Sequence, residues 1–594
     1  MLLADNRVEL DARPALIKPP LLEVALIGHC PSRDGAARWR RLAGDAPLLA
    51  EVAALGFARS AAFLRAMNRD PELVSSLGAH PKLGNLLQQA DANDAAITAI
   101  LQGLGLTERL LRLYLPEGMG NPADQDRFLA ALQAEPVTLA ARLHFLMDHR
   151  ALYNLPIPLF SFGQFQALFP DAFDQPCAYR SSLAGGLAWL PAAVQDFFDG
   201  DATTHGAKKL WILRVPEASG QAAFLPRPGA DPVHVETLGA FDRALLIPRI
   251  GVLALPDLER LQVPADLPDI PRLRLDNPPP SFRPDCEVPD DTHRERRYSS
   301  ELPAPSTLLA PEAIVLPIIR ALAQRRPDLI CLLSLPLDPL LQGEHLTPSP
   351  DFLQLLGRIS GQSGEGVHGE LGEKLRHLQL LYPYLRGPGR PLCSATGLIA
   401  GMQATVSHQQ GPWHSMAGRP MPGLRLPYPA LNQQQATALR QAPGISVLLN
   451  HGKGPQLDDE RLCVPCLPSL ALQQLSPLGR SLEHWRSAEV MRFMGWIRRE
   501  LQRLGERVVF DLDPRDPRLD MALRSFFTRL HANGALRGAR PEEAFRLTSR
   551  QEGESTIIFD IELAPAYPLD LIRITFAHDR HAGGVETAIE ASHG

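Results

Sequence analysis

Several residue groupings in this 594-residue chain have the types and spacings that chemistry uses. Cys463 and Cys466 make a single C-x-x-C. A structural zinc site needs two further ligands at similar spacing, and none lies near. A redox dithiol needs a helix N-terminus, yet Pro465 and Pro468 break this stretch, so the pair reads as two half-buried thiols. Gly364, Gly366 and Gly369 fit G-x-G-x-x-G, but no strand pattern precedes them, and about 20 positions on stands GPGRPLCS with no acidic residue. Gly452-Lys453 has no Ser or Thr after it, and Val447 holds the leading glycine position of a phosphate loop. His578, His581 and His593 have no acidic or cysteine partners at ligand spacing. No cofactor and no metal is expected.

The segment Val508–Asp513 (VVFDLD) carries the most catalytic pattern, a strand expected over Arg507–Asp511 and running into Asp511-x-Asp513. It resembles the nucleophile motif of haloacid-dehalogenase-type phosphatases, in which the first carboxylate attacks phosphorus and the second serves the leaving group. Pro514 and Arg515 stand where those enzymes continue with Gly-Thr. Asp511, Asp513, Asp516 and Asp520 read better as a solvated loop and helix N-terminus, where carboxylates suit the helix dipole. The chain is therefore expected not to be an enzyme. A magnesium-dependent phosphatase using Asp511 and Asp513 is the alternative from another class.

Composition narrows the classes further. Lys and Arg number 60 against 66 Asp and Glu, a net charge of −6, which disfavours a nucleic-acid binder working through phosphate contacts. With 45% hydrophobic and 21% charged residues the chain can bury large cores. The 56 prolines are nearly twice the usual share of about 5%, which argues for turns and extended connectors over one helical rod. Seven cysteines are too few for a disulfide scaffold. Asp5, Arg7, Glu9, Asp11 and Arg13 leave no room for a signal-peptide core, and no apolar run approaches the ~18 residues of a membrane span. Cytoplasmic assembly without direct membrane insertion is expected.

Periodicity divides the chain. Residues 1–35 read as an arm with a short strand at Val8–Leu10, followed by a buried strand at Leu22–Ile27. Residues 36–150 read as a helical insert: Leu48, Val52 and Leu55, then Ile97, Ile100, Leu101 and Leu104, then Leu139, Leu143 and Leu146 recur at helical spacing. Residues 151–215 return to mixed α/β character, with a strand at Leu210–Val215. Residues 216–375 read as a middle, outward-facing domain holding a proline-rich connector, 263–306. Residues 376–576 hold two helical stripes, one from Val490 to Leu504 and one from Leu519 to Leu530, before alternating strands. Residues 577–594 read as a polar tail.

Several of these segments, taken in order, resemble the contractile tail sheath family of phages and phage-tail-like injection systems. Val24–Gly28 resembles its first buried strand, Phe160–Phe169 (FSFGQFQALF) its "SF-x-x-F-x-x-x-F" segment, and Ala193–Val215 its "AV-x-x-FF…VVRV" unit. Leu381–Leu385 (LYPYL), Gly397–Gly411 (GLIAGMQATVSHQQG) and Trp413 follow, with Ala488–Leu504 as the long helix. Asn533–Phe545, Ile561–Pro565 and Pro568–Ile574 resemble the closing turn and strands. Leu392-Cys393-Ser394-Ala395-Thr396 stands where the family has a proline-rich signature.

The resemblance implies an α/β (α+β) multi-domain fold, with a sheath domain built from both chain ends and inserted domains, the N-terminal helical insert among them. It implies hexameric rings stacked around an inner tube, contracting to drive that tube through a target envelope as part of a phage tail or released particle. Implied partners are further copies of the chain, the inner tube protein, and baseplate and tail terminator or cap proteins. Arms carrying Val8 and Leu10 at one end, and Leu571, Ile572, Ile574 and Phe576 at the other, would add strands to neighbouring subunits, with Leu571–Phe576 as an edge strand. A cap or adaptor subunit of the same machine is the near alternative.

Overall fold

The computed structural model describes residues 21–33, 35–55, 99, 122–134, 142–143, 146, 149, 151–199, 208–231, 237–265, 308–339, 346–359, 370–387, 390–423, 425–441, 444–451, 454–464, 485–508, 517–552, 556–566, 571–579 and 584–592. In chain order its strands are β1 (Glu23–His29), β2 (Pro156–Leu159), β3 (Pro176–Ser181), β4 (Gly185–Leu187), β5 (Leu210–Val215), β6 (Ile250–Ala254), β7 (Ile330–Ser334), β8 (Leu378–Tyr382) and β9 (Tyr384–Gly387). They continue as β10 (Arg390–Cys393), β11 (Leu426–Tyr428), β12 (Ile445–His451), β13 (Gly454–Leu457), β14 (Phe545–Glu552), β15 (Thr556–Leu563), β16 (Leu571–Asp579) and β17 (Gly584–Ser592). The helices that matter below are α1 (Gly35–Ala43), α2 (Ala46–Leu55), α3 (Phe162–Leu168), α4 (Trp189–Phe198), α5 (Pro256–Leu261), α6 (Pro311–Arg325), α7 (Thr396–Gln410), α8 (Ala488–Val508) and α9 (Pro517–Ala532).

The main sheet has the order β13-β12-β8-β7-β6-β1-β5-β2. From β12 to β5 every pairing is parallel, and only the outermost strands, β13 and β2, run antiparallel. Parallel strands covered on both faces are written as unbroken apolar runs, which is how EVALIGH, LWILRV, IGVLA and ICLLS read. Alternate residues of β1 serve opposite cores. Val24 and Leu26 join one with α4, α7 and α8, while Ala25 and Ile27 join the other with Ile314, Val315 and Ile318 of α6. A separate antiparallel meander, β14-β15-β16-β17, packs on α9, where Phe527 meets Phe545 with ring centres 5.6 Å apart.

Two helices cross at a spacing only glycine permits. A Cβ at Gly397 would stand 2.5 Å from the Ala193 carbonyl oxygen of α4, and one at Gly401 would collide with the backbone of Phe197. At the far end of α9, Gly534 takes φ +75° and stops the helix, as the Asn533-Gly534 signal indicates.

Five expectations need correction. Residues 216–375 do not form an outer domain, because β6 and β7 lie in the middle of the main sheet. Their apolar runs are buried on both faces, and only two-sided cover accommodates that. Leu571–Phe576 is no edge strand: β16 runs on to Asp579 and pairs with β15 on one side and β17 on the other. The tail from 577 is therefore largely strand, carried by the weak alternation of Val585, Thr587, Ile589 and Ala591. Finally, α8 continues through Arg507 and Val508, where a strand was expected, because the Val490–Leu504 stripe runs on by another turn; residues 509–516 lie outside those described. The start of the helical insert also belongs to the main core, since Leu42, Leu49 and Val52 are buried in the cluster that holds Val24 and Leu26. Helical spacing shows a buried stripe but not which core receives it.

The glycine crossing generates a paired test. Gly401→Ala should destabilise the chain by about 1–3 kcal/mol through overpacking. Gly163→Ala, at an exposed position of α3 with 3.8 Å to its nearest atom, should be neutral or stabilise by up to ~1 kcal/mol. Denaturant unfolding measures both, and equal effects would show that the α4–α7 contact is looser than described.

Candidate functional site

In an open parallel sheet, ligands bind in the crevice beyond the carboxyl ends of the strands. Here that place holds a group of buried polar side chains, His29, Asp257, Glu259 and Arg260. Asp257, one residue into α5 after β6, is fully buried and accepts four hydrogen bonds. Its Oδ2 takes the backbone N–H groups of His29 and Leu190 at 2.9 Å, and its Oδ1 takes that of Trp189 at 2.9 Å and Arg260 Nε at 2.8 Å. Two of these donors open α4, so Asp257 caps a helix that another part of the chain supplies. Arg260 continues the network, donating from Nη1 to the Tyr179 carbonyl at 2.8 Å and from Nη2 to His29 Nδ1 at 3.3 Å. Burial lowers the His29 pKa, consistent with a neutral ring that accepts at Nδ1.

Glu259, two residues beyond Asp257, is strongly altered by its surroundings. It is 3% exposed, and burial pushes its carboxyl up to about 8, against the opposing pull of Ser394, Ser334 and Thr396. Among the described residues, neither carboxyl oxygen closes a hydrogen bond with them, and Ser334 Oγ and Tyr384 OH also lack partners. We read Glu259 as a neutral acid at physiological pH. Such a group is a usual mark of catalysis when a substrate can reach it. At this burial, and with Asp257 occupied by backbone, the arrangement stores a proton and orders loops.

A second network joins the C-terminal half to the sheet. Glu460 and Arg492 of α8 form a fully buried pair, with Nη1–Oε1 at 2.7 Å and Nη2–Oε2 at 3.0 Å. Glu460 also accepts from Gln403 of α7, Ser415 Oγ and the Met416 N–H. Burial pushes this carboxyl up, but Arg492 and these donors more than reverse it and leave it below its ordinary value. Farther along α8, Arg499 donates to both the backbone and the carboxylate of Asp328, each at 3.0 Å. Gly495 lets α8 approach the Asp328 backbone that closely.

Most of the residues singled out in the sequence lie outside the described ones. Cys463 is buried with its thiol pushed up, while Cys466 lies outside the described residues. Gly364, Gly366, Gly369, Asp511, Asp513, His581, His593, Val8 and Leu10 also lie outside them. His578, Leu571, Ile572, Ile574 and Phe576 all stand on β16, and Ile574 is buried. Among the described residues no group of three or more His, Cys, Asp or Glu could hold a metal ion, and no helix is long and apolar enough to cross a membrane. Sequence reading missed Asp257, Glu259 and Glu460 because PDLER and DDERL look like ordinary solvated turns.

No protein-family model matches the chain, and no curated protein matches it. Among solved structures, it aligns over 70% of its length with 86% of a chain in the cryo-EM structure of the anti-feeding prophage baseplate, at 16% identity and a TM-score of 0.40. It aligns over 69% with 83% of a chain in the contracted PVC sheath complex of an extracellular contractile injection system, at 13% identity and 0.37. A sheath tail protein from Listeria innocua aligns over 72% of this chain and 92% of its own, at 8% identity and 0.39.

Glu259 gives a pH signature. A carboxyl whose pKa rises on folding contributes stability that is full below its unfolded value of 4.5 and is lost as pH rises through about 8. Glu259→Gln, which imitates the neutral acid, should remove that loss. The melting temperature of the unaltered chain should therefore fall relative to Glu259→Gln as pH rises from 6 to 9.5. Parallel curves would place the proton elsewhere.

Proposed function

We propose that this chain is a structural subunit of a contractile sheath, and that its role is mechanical and not catalytic. The observation that carries the reading is the contact between α4 and α7. Two segments that resemble the sheath family, Ala193–Val215 and Gly397–Gly411, are nearly 200 positions apart in sequence, yet they meet backbone to backbone at Gly397 and Gly401. The first family-like strand, β1, pairs with β5 from the same unit and packs under α4. Matching blocks from both chain ends thus build one core, as a sheath domain requires.

On this reading, copies of the chain form stacked hexameric rings around an inner tube and end on baseplate and terminator proteins. The particle assembles in the cytoplasm and leaves as a phage tail or a tail-like injector. Contraction is rigid-body rotation of subunits into a lower-energy packing, with the energy stored in their interfaces. The meander supplies the link between neighbours. Its β14 strand carries three charged residues, Arg546, Arg550 and Glu552, which discourage pairing, whereas β17 carries two, Glu586 and Glu590. We assign the linking edge to β17, with Leu571, Ile572, Ile574 and Phe576 on the strand that holds it.

Removal of residues 580–594 should abolish polymerisation while leaving the circular-dichroism melt of the main fold in place. The full chain should form ringed tubes in negative-stain micrographs. Tubes built from the truncated chain would move the link away from β17. Magnesium-dependent phosphate release that disappears in Asp511→Asn with Asp513→Asn would overturn the structural role altogether.

A further inference from the structure

One face of α8 carries donors that the rest of the fold leaves unused. Trp496, Arg499 and Arg503 follow one another at spacings of three and four, so they share that face. With Leu21, Pro248 and Arg249 they line a hollow of about 220 Å³. Trp496 is 8% exposed and its Nε1 has no partner among the described residues; Arg499 is 9% exposed and its Nη2 has none either. The other arm of Arg499 is occupied, since Nη1 donates to the carbonyl and the carboxylate of Asp328, each at 3.0 Å. Gly251 of β6 leaves room for Nη2, because a Cβ there would stand 2.6 Å from it. Two buried donors at one hollow call for two acceptor oxygens.

Charge decides which oxygens these are. Arg249 is paired with Glu23 at 3.3 Å, and Arg503 with Glu500 at 2.5 Å. Asp328 is shared, because Arg326 also holds it, from Nε at 2.8 Å and from Nη2 at 2.9 Å. Arg249, Arg326, Arg499 and Arg503 thus face only Glu23, Asp328 and Glu500, and at least one positive charge is left over. Arg498, close enough to feel the same Asp328 carboxylate, adds to the excess. A carboxylate offers two oxygens in one plane for a single charge. A phosphate dianion costs more to desolvate and would press against Glu500 on the same wall.

The remaining walls are apolar: the Trp496 ring, Leu21 and Pro248. An apolar cavity of about 150 Å³ takes a benzene-sized ligand, so this hollow has room for a ring and its carboxylate. Trp496 and Arg503 also line a groove of about 500 Å³ between α8 and α9, where Phe526 stacks on Trp496 with ring centres 5.8 Å apart. The apolar side of the hollow therefore runs on into a larger apolar surface.

We propose that this hollow binds a small aromatic carboxylate, whose oxygens accept from Trp496 Nε1 and Arg499 Nη2 while its ring lies against Trp496, Leu21 and Pro248. The ligand bridges α8 to the segments that enter β1 and β6, so binding stabilises the folded subunit. This inference does not depend on the sheath assignment.

The test titrates the full chain with sodium benzoate by calorimetry, at an ionic strength held constant with sodium chloride. Sodium acetate and sodium phosphate are the arms that separate ring, carboxylate and charge. Benzoate should bind one-to-one and about tenfold more tightly than acetate, because only benzoate buries a ring. Phosphate should not displace it. Trp496→Phe, which keeps an aromatic wall but removes the N–H, should weaken benzoate binding about tenfold. Arg503→Gln, at a half-buried position, should weaken it by roughly threefold with an unchanged circular-dichroism melt. Should Trp496→Phe fail to fold, Arg503→Gln and the three ligands still decide. Absence of saturable benzoate binding would mean that water satisfies the donors. That result, equal affinity for acetate, displacement by phosphate, or unchanged affinity in the folded variants would each overturn the proposal.

Discussion

The four hydrogen bonds accepted by Asp257 are the joint on which the N-terminal half of the fold depends. Three of them tie the end of β1 and the start of α4 to the turn after β6, across separations of 67, 68 and 228 residues of chain. No local propensity could hold these pieces together, because each backbone donor is an orphan group at an element terminus that water would otherwise satisfy. Gly28 shows how closely they are fitted, since a Cβ there would stand 2.5 Å from Asp257 Oδ2. Once the carboxylate is in place, β1 is fixed between β5 and β6 and the main sheet has its centre.

The C-terminal half uses a different device for the same end. Where α7 meets α4, glycine allows contact without side chains, and where α8 meets the sheet, a buried ion pair does the joining. Burying Glu460 and Arg492 gains little net stability, yet removing one partner costs about 3–5 kcal/mol because the other charge is stranded. Such a pair therefore sets geometry more than it adds stability. With Asp328 and Arg499 a second pair along the same helix, α8 is fixed against the sheet at two points. A helix fixed at two points in this way cannot slide or turn on the sheet without breaking a buried charge pair.

Much of this was legible in sequence, and what was not has a physical reason. Apolar runs pointed to β1 and β5, and helical stripes to α8 and α9, because burial writes itself directly into periodicity. The place of β6 and β7 at mid-sheet was not legible, since a parallel sheet draws its strands from distant parts of the chain. Strand β17 was missed because small and polar residues dilute its alternation. The buried network was invisible for a deeper reason. Asp257, Glu259 and Glu460 are charged residues among other charged residues, and only tertiary structure reveals that they face inward.

That inward facing bears on function. In a sheet of this kind the carboxyl ends of the strands are the natural place for a ligand, and their polar residues normally point into a crevice. Here the corresponding side chains are spent on backbone groups, on one another, or on holding a proton out of water's reach. The groove between α8 and α9 is a feature that stays open: Trp496 Nε1 and Arg499 Nη2 beside it have no acceptor among the described residues, and burial without one costs about 1–3 kcal/mol for each.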